Sequence, residues 1–96
     1  MELGSASLRL DREDVLPGKT TFRLEGRLGS LELNTVRESV EPWLGRGCQI
    51  EIDLAALRFL DEPGARLLCA LRHRGVHLAN ADGFVGEMLR ILETER

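Results

Sequence analysis

Ninety-six residues, 43% of them hydrophobic, suffice for one modest core, and a single domain over 1–96 is expected. The formal net charge of -3 leaves no basic field to hold a phosphodiester backbone, so nucleic acid is not an expected partner. The opening MELGSASLRLDRED has no basic leader ahead of an apolar block, and no apolar run approaches the roughly 18 to 20 residues that span a bilayer; a cytoplasmic chain without membrane insertion is expected.

The first period-two signal is Leu8 and Leu10 around Arg9. DREDVLPGK then reads as a polar, turn-rich connection, short enough for antiparallel pairing with the next strand. In that second strand Phe22, Leu24 and Leu28 share one face, and Arg23, Glu25 and Arg27 the other. The run Pro17, Gly18, Lys19, Thr20 resembles the end of a phosphate-binding loop. Glu13 stands where that pattern needs glycine, however, and the segment enters a strand where a helix is required.

Leu33, Val36, Val40, Trp43 and Leu44 form a helical stripe, which Pro42 should kink or end within its last turn because it has no N–H. Trp43 is expected at the core edge, with an interface anchor as the other reading. CQIEIDL alternates Cys48, Ile50, Ile52 and Leu54 against Gln49, Glu51 and Asp53. A second helical stripe contains Gly64, Leu67, Leu68 and Leu71 and closes at Gly75. Val76 and Leu78 against His77 mark a fourth strand. Phe84, Val85, Met88 and Leu92 mark a third helix, with Asp82 at its N-cap.

This order predicts an α/β, α+β-like two-layer fold: a mixed four-stranded sheet with three helices mainly on one face. Every strand keeps a polar side, so the helices should cover only one side of the sheet.

FLDEPGARLL, residues 59–68, joins the third strand to the second helix. Proline restricts the residue before it to extended backbone and suits the first helical position. Glu62 is therefore expected at or just before the N-cap, Pro63 at the first helical residue, and Asp61 within reach of the free first-turn N–H groups. Asp53, Asp61 and Glu62 lie toward the carboxyl end of one strand, where magnesium could in principle bind. Asp53 is on the opposite pleat face from Ile52 and Leu54, however, and no lysine or threonine completes a phosphoryl site. His73 and His77 have no paired nucleophile, and Cys48 and Cys69 read as buried reduced thiols. No catalytic residue, metal or cofactor is expected.

From residue 7 to residue 92 the chain resembles the STAS family, shared by sulphate transporters and bacterial anti-sigma factor antagonists. The resemblance rests on TFRLEGRL, CQIEIDLAAL, FLDEPGARLL, GVHLANA and FVGEMLRIL. It implies a bacterial, non-enzymatic interaction domain in signalling or transcription regulation. The implied partner is an anti-sigma factor or related kinase-like regulator, or, in the family's other setting, a subunit of a membrane (lipid or anion) transport ATPase. It also implies that residues 61–64 correspond to the family's Asp-Ser-x-Gly switch loop. Asp61 and Gly64 match that loop, whereas Glu62 and Pro63 carry no hydroxyl, so phosphorylation there is not expected. Instead, Glu62 supplies one charge where a phosphoserine would bring about two. The expected partner-binding loop is Asp61, Glu62, Pro63, Gly64 and Arg66, with the two acids facing a partner and Gly64 allowing close approach. Asp53 and Trp43 are further interface candidates, and homodimerisation stays open.

Overall fold

The computed structural model describes residues 3–4 and 7–94, so the outermost parts of the 1–96 domain expectation lie outside the described residues. The elements in chain order are β1 (Leu3–Gly4), β2 (Leu8–Leu16), β3 (Lys19–Leu28), a 3-10 turn (Ser30–Glu32), α1 (Leu33–Gly45), β4 (Gln49–Leu60), α2 (Glu62–His73), β5 (His77–Ala79) and α3 (Gly83–Thr94). The sheet order follows the chain, β1 to β5. Pairing is antiparallel from β1 to β3 and parallel from β3 to β5. The four expected strands and three helices are present, and the two-residue β1 extends the edge beside β2.

Alternation dictates the layers. Leu8, Leu10, Phe22, Leu24, Ile50 and Ile52 are buried in one core with Val36 and Val40 of α1, Leu67, Leu68 and Leu71 of α2, and Val85 and Leu89 of α3. The crossovers through α1 and α2 leave both helices packed on the same core face of the parallel strands, as the right-handed rule for such connections requires. The opposite face carries Arg9, Arg23, Glu25, Asp53 and other polar residues. No helix among the described residues is long and apolar enough to cross a membrane.

Two segments differ from expectation for identifiable reasons. DREDVLPGK is mostly strand: β2 continues to Leu16, and only Pro17 and Gly18 separate it from β3. Gly18 has φ +79, a value a turn glycine takes without penalty. Residues 12–16 are all exposed, so ladder hydrogen bonds persist where apolar alternation has stopped. Likewise β4 does not end near Leu54 but runs to Leu60. Its pairing with β3 shifts between Arg23 and Glu25 and again between Gly26 and Arg27, each time inserting one extra residue into β4. Its buried positions therefore pass from a two-residue spacing, Ile50, Ile52 and Leu54, to a three-residue one, Leu57 and Leu60.

Smaller corrections concern side chains. Phe84 is 53% exposed and Leu89 takes the buried position on α3 instead. Cys48 precedes β4, and both cysteines are half-buried free thiols. Burial foremost, then the Glu93 carboxylate, pushes the Cys69 thiol above its ordinary value. Little thiolate should form there at neutral pH, so iodoacetamide is expected to modify Cys69 more slowly than it modifies free cysteine at pH 7. Mass-spectrometric time courses of the Cys48→Ser variant check this; a rate equal to free cysteine would contradict it.

Candidate functional site: the β4–α2 junction and the outer face of α2

Asp61 alone separates β4 from α2, in extended backbone at φ -93 and ψ 179. One carboxylate oxygen, Oδ1, accepts the Gly64 N–H at 2.9 Å, and the Asp61 carbonyl accepts the Ala65 N–H at 2.9 Å. Asp61 is therefore the N-cap, Glu62 is the first helical residue and Pro63 the second, one position earlier than expected. An aspartate accepts first-turn N–H groups directly, and a proline within that turn lacks only a donor the helix does not use.

The second oxygen of Asp61 accepts the Ser30 N–H at 3.0 Å, and the Asp61 N–H reaches the Leu28 carbonyl at 3.3 Å. Both carboxylate oxygens are thus bound to the protein's own backbone. Ser30 is held in turn by a neighbouring network. The buried Glu32 side chain accepts the Gly29 N–H at 2.8 Å and the Ser7 hydroxyl at 2.8 Å. Nothing local in the sequence announces these contacts, because Ser30 and Asp61 are 31 positions apart.

Gly64 is buried. A Cβ built on it would lie 2.5 Å from the Leu28 carbonyl oxygen, so the close approach it permits is between α2 and β3, not toward a partner. Glu62 points along the helix, where its Oε2 accepts from Arg66 Nη2 at 2.6 Å and Nε at 2.9 Å. This exposed (i, i+4) pair contributes a few tenths of a kcal/mol, about 0.3 to 0.5. Its larger consequence is that Arg66 compensates the Glu62 charge. The two acids do not form a bare, outward-facing anion.

What faces outward is the surface of α2: Glu62, Pro63, Arg66, Ala70 and His73 are all exposed. A cleft of about 270 Å³ runs beside it, lined by Arg66, Cys69, Ala70, His73 and Leu92 of α3. Ion pairs steady both neighbours: Arg72 to Glu93 of α3 at 2.5 Å, and Arg74 to Glu41 of α1 at 2.6 Å. His73 Nε2 lies 3.8 Å from Glu93 and one turn from Cys69, the residue types of a thiol nucleophile with its base. The raised Cys69 thiol opposes that reading, since nucleophilic cysteines need a lowered one.

Beside the junction, Phe59 at the end of β4 stacks on Phe84 with ring centroids 6.1 Å apart, and the Arg27 guanidinium lies 4.4 Å over the Phe59 ring.

The two outlying candidates sit elsewhere. Asp53 is mid-strand, eight residues before Asp61, and accepts from Asn80 Nδ2 and the Ala55 N–H, both at 3.0 Å. These bonds, the Asn80 one first, hold its carboxyl below the ordinary value. They also mark where β5 pairing stops, at Asp53 and Ala79. The three acids therefore do not converge, and no group of three metal-ligating side chains exists among the described residues. Trp43 lies at the opposite end of β3 from Asp61, half-buried, with the guanidinium groups of Arg12 and Arg46 over its ring at 4.2 Å and 4.6 Å.

Residues 12–96 match the family model described as Mlab, STAS domain. The chain belongs to the STAS family. None of the curated proteins matches the sequence. Among solved structures, the anti-sigma factor antagonist SpoIIAA in its unphosphorylated form is similar at a TM-score of 0.73 and 18% identity, with 88% of this chain and 80% of that one covered. An antisigma-factor antagonist STAS domain from Rhodobacter sphaeroides aligns at a TM-score of 0.48 and 20% identity, covering 77% and 85%. At such identities the SpoIIAA match shows the STAS fold alone. Within that fold, this STAS domain has no hydroxyl at position 62 or 63 of the β4–α2 junction.

Proposed function

We propose that this STAS domain works by binding rather than by catalysis, holding a regulatory protein partner on the outer face of α2 from Glu62 to His73. The carrying observation is that face itself. Rigid backbone bonds through Asp61 and a buried Gly64 fix the start of the helix, and small Ala70 sits between Arg66 and His73 beside an open cleft. Such a surface admits a partner's helix or loop closely and pairs its charges at the rim. In the antagonist reading, the partner is an anti-sigma factor or related kinase-like regulator, bound without a phosphorylation switch at positions 62 and 63.

The missing hydroxyl also favours a second reading, a constitutive subunit of a membrane transport ATPase, where no switch is needed.

Co-purification from the native host separates these readings, returning a kinase-like regulator or an ATPase subunit. The binding face is then tested with the isolated partner. Ala70→Arg should fold normally and weaken binding about 10- to 100-fold, roughly 1.4 to 2.8 kcal/mol. Unchanged affinity would remove α2 from the interface.

A further inference from the structure

We infer that the tip of the β2–β3 hairpin is a homodimer surface, on which Val15 and Leu16 of one copy pack into the cleft beside Trp43 of a second copy. Val15 is 52% exposed and Leu16 is 61% exposed, at the end of a β2 strand that contributes nothing to the core beyond Leu10. The fold does not need them there. The turn requires only Pro17 and Gly18, and the register shift between Asp14 and Leu16 leaves Val15 unpaired as a bulge. Exposed apolar residues that local structure does not explain mark contact surfaces.

A cleft of about 370 Å³ lies against the same tip, lined by Val15, Leu16 and Pro17 of the hairpin together with Trp43 and Cys48. Knob and hole therefore belong to one patch, which is what a two-fold contact requires: residue i meets residue j, and j meets i. The charges at the rim are also self-complementary. Asp14 and Lys19 both line the cleft; Asp14 pairs with Arg12 of its own chain at the exposed hairpin surface, so a second copy's Lys19 would share it, and among the described residues no ion pair to Lys19 is present. A two-fold axis through the tip brings Asp14 of each copy toward Lys19 of the other. A partner of different sequence would need to supply both signs and both shapes, whereas a second copy supplies them automatically.

Two hairpin tips bury less than the roughly 1,200 to 2,000 Å² of a stable specific interface, so the association is weak and concentration-dependent. Sedimentation velocity on the full chain, from about 5 to about 500 µM, is the test, a range suited to weak complexes. The wild type should pass from monomer to dimer. Leu16→Asp should raise the dimer dissociation constant at least about tenfold, with thermal unfolding unchanged. Lys19→Glu should weaken the dimer, and adding Asp14→Lys should restore it. A wild type monomeric throughout, a Leu16→Asp variant that still dimerises, or a double variant no better than Lys19→Glu would each overturn the inference.

Discussion

Replacing Gly64 by alanine is expected to destabilise the protein by about 2 to 4 kcal/mol, a large loss for a domain of this size. Alanine is the better helix former by about 1 kcal/mol, so propensity alone predicts the opposite sign. Packing decides the outcome. The added methyl would sit 2.5 Å from the Leu28 carbonyl oxygen and 3.1 Å from both Leu28 Cγ and Leu60 Cδ1. The nearest of these is a backbone atom, and its carbonyl already accepts the Asp61 N–H at 3.3 Å, so it cannot swing aside without breaking the junction. The helix must lift off β3, which would also pull the Gly64 N–H from Asp61. Urea unfolding midpoints measure the effect. Gly45→Ala is the control, because nothing lies within 4 Å of that position and the propensity gain should appear there alone. Equal midpoints for Gly64→Ala and wild type would mean that the junction is looser than described.

Periodicity made the fold legible only where burial is regular. Ile50, Ile52 and Leu54 announce β4, but the two extra residues opposite β3 shift the buried positions to Leu57 and Leu60, and a pattern of period three matches no strand. The outer half of β2 is lost for a different reason. Its strand character lies in ladder bonds between exposed residues, and charged side chains such as Arg12, Glu13 and Asp14 read as loop. Phe84 shows a third limit: it occupies a helical-stripe position, yet it turns to Phe59 at the surface while Leu89 fills the core.

At the junction, Asp61 and Gly64 could be singled out from their spacing and from proline geometry. The direction of each side chain could not, because it depends on partners distant in sequence. Ser30 draws Asp61 inward, Leu28 makes Gly64 a packing glycine, and only Arg66, within one helical turn of Glu62, was within reach of a local pattern.

Glu32→Ala is expected to cost about 2 to 3 kcal/mol, although Glu32 lies outside the binding face proposed on α2. Its side chain is 3% exposed and accepts two hydrogen bonds, from the Gly29 N–H and the Ser7 hydroxyl. Alanine would strand a backbone donor in a buried place and leave a cavity, and each loss is of order 1 kcal/mol or more. Glutamine separates hydrogen bonding from charge. Its carbonyl can take the Gly29 bond, and its amide can donate to the Ser7 hydroxyl, which turns to accept. Glu32→Gln should therefore retain most of the stability, with a midpoint much nearer wild type than that of Glu32→Ala. The turn this side chain braces presents the Ser30 N–H to Asp61, so loosening it should also relax the start of α2. Amide hydrogen exchange at Gly64 and Ala65 reports that directly. Faster exchange at both in Glu32→Ala, with little change in Glu32→Gln, would trace the coupling from the turn to the helix cap. Equal protection at both sites in the two variants would show that Asp61 holds the helix without the turn's help.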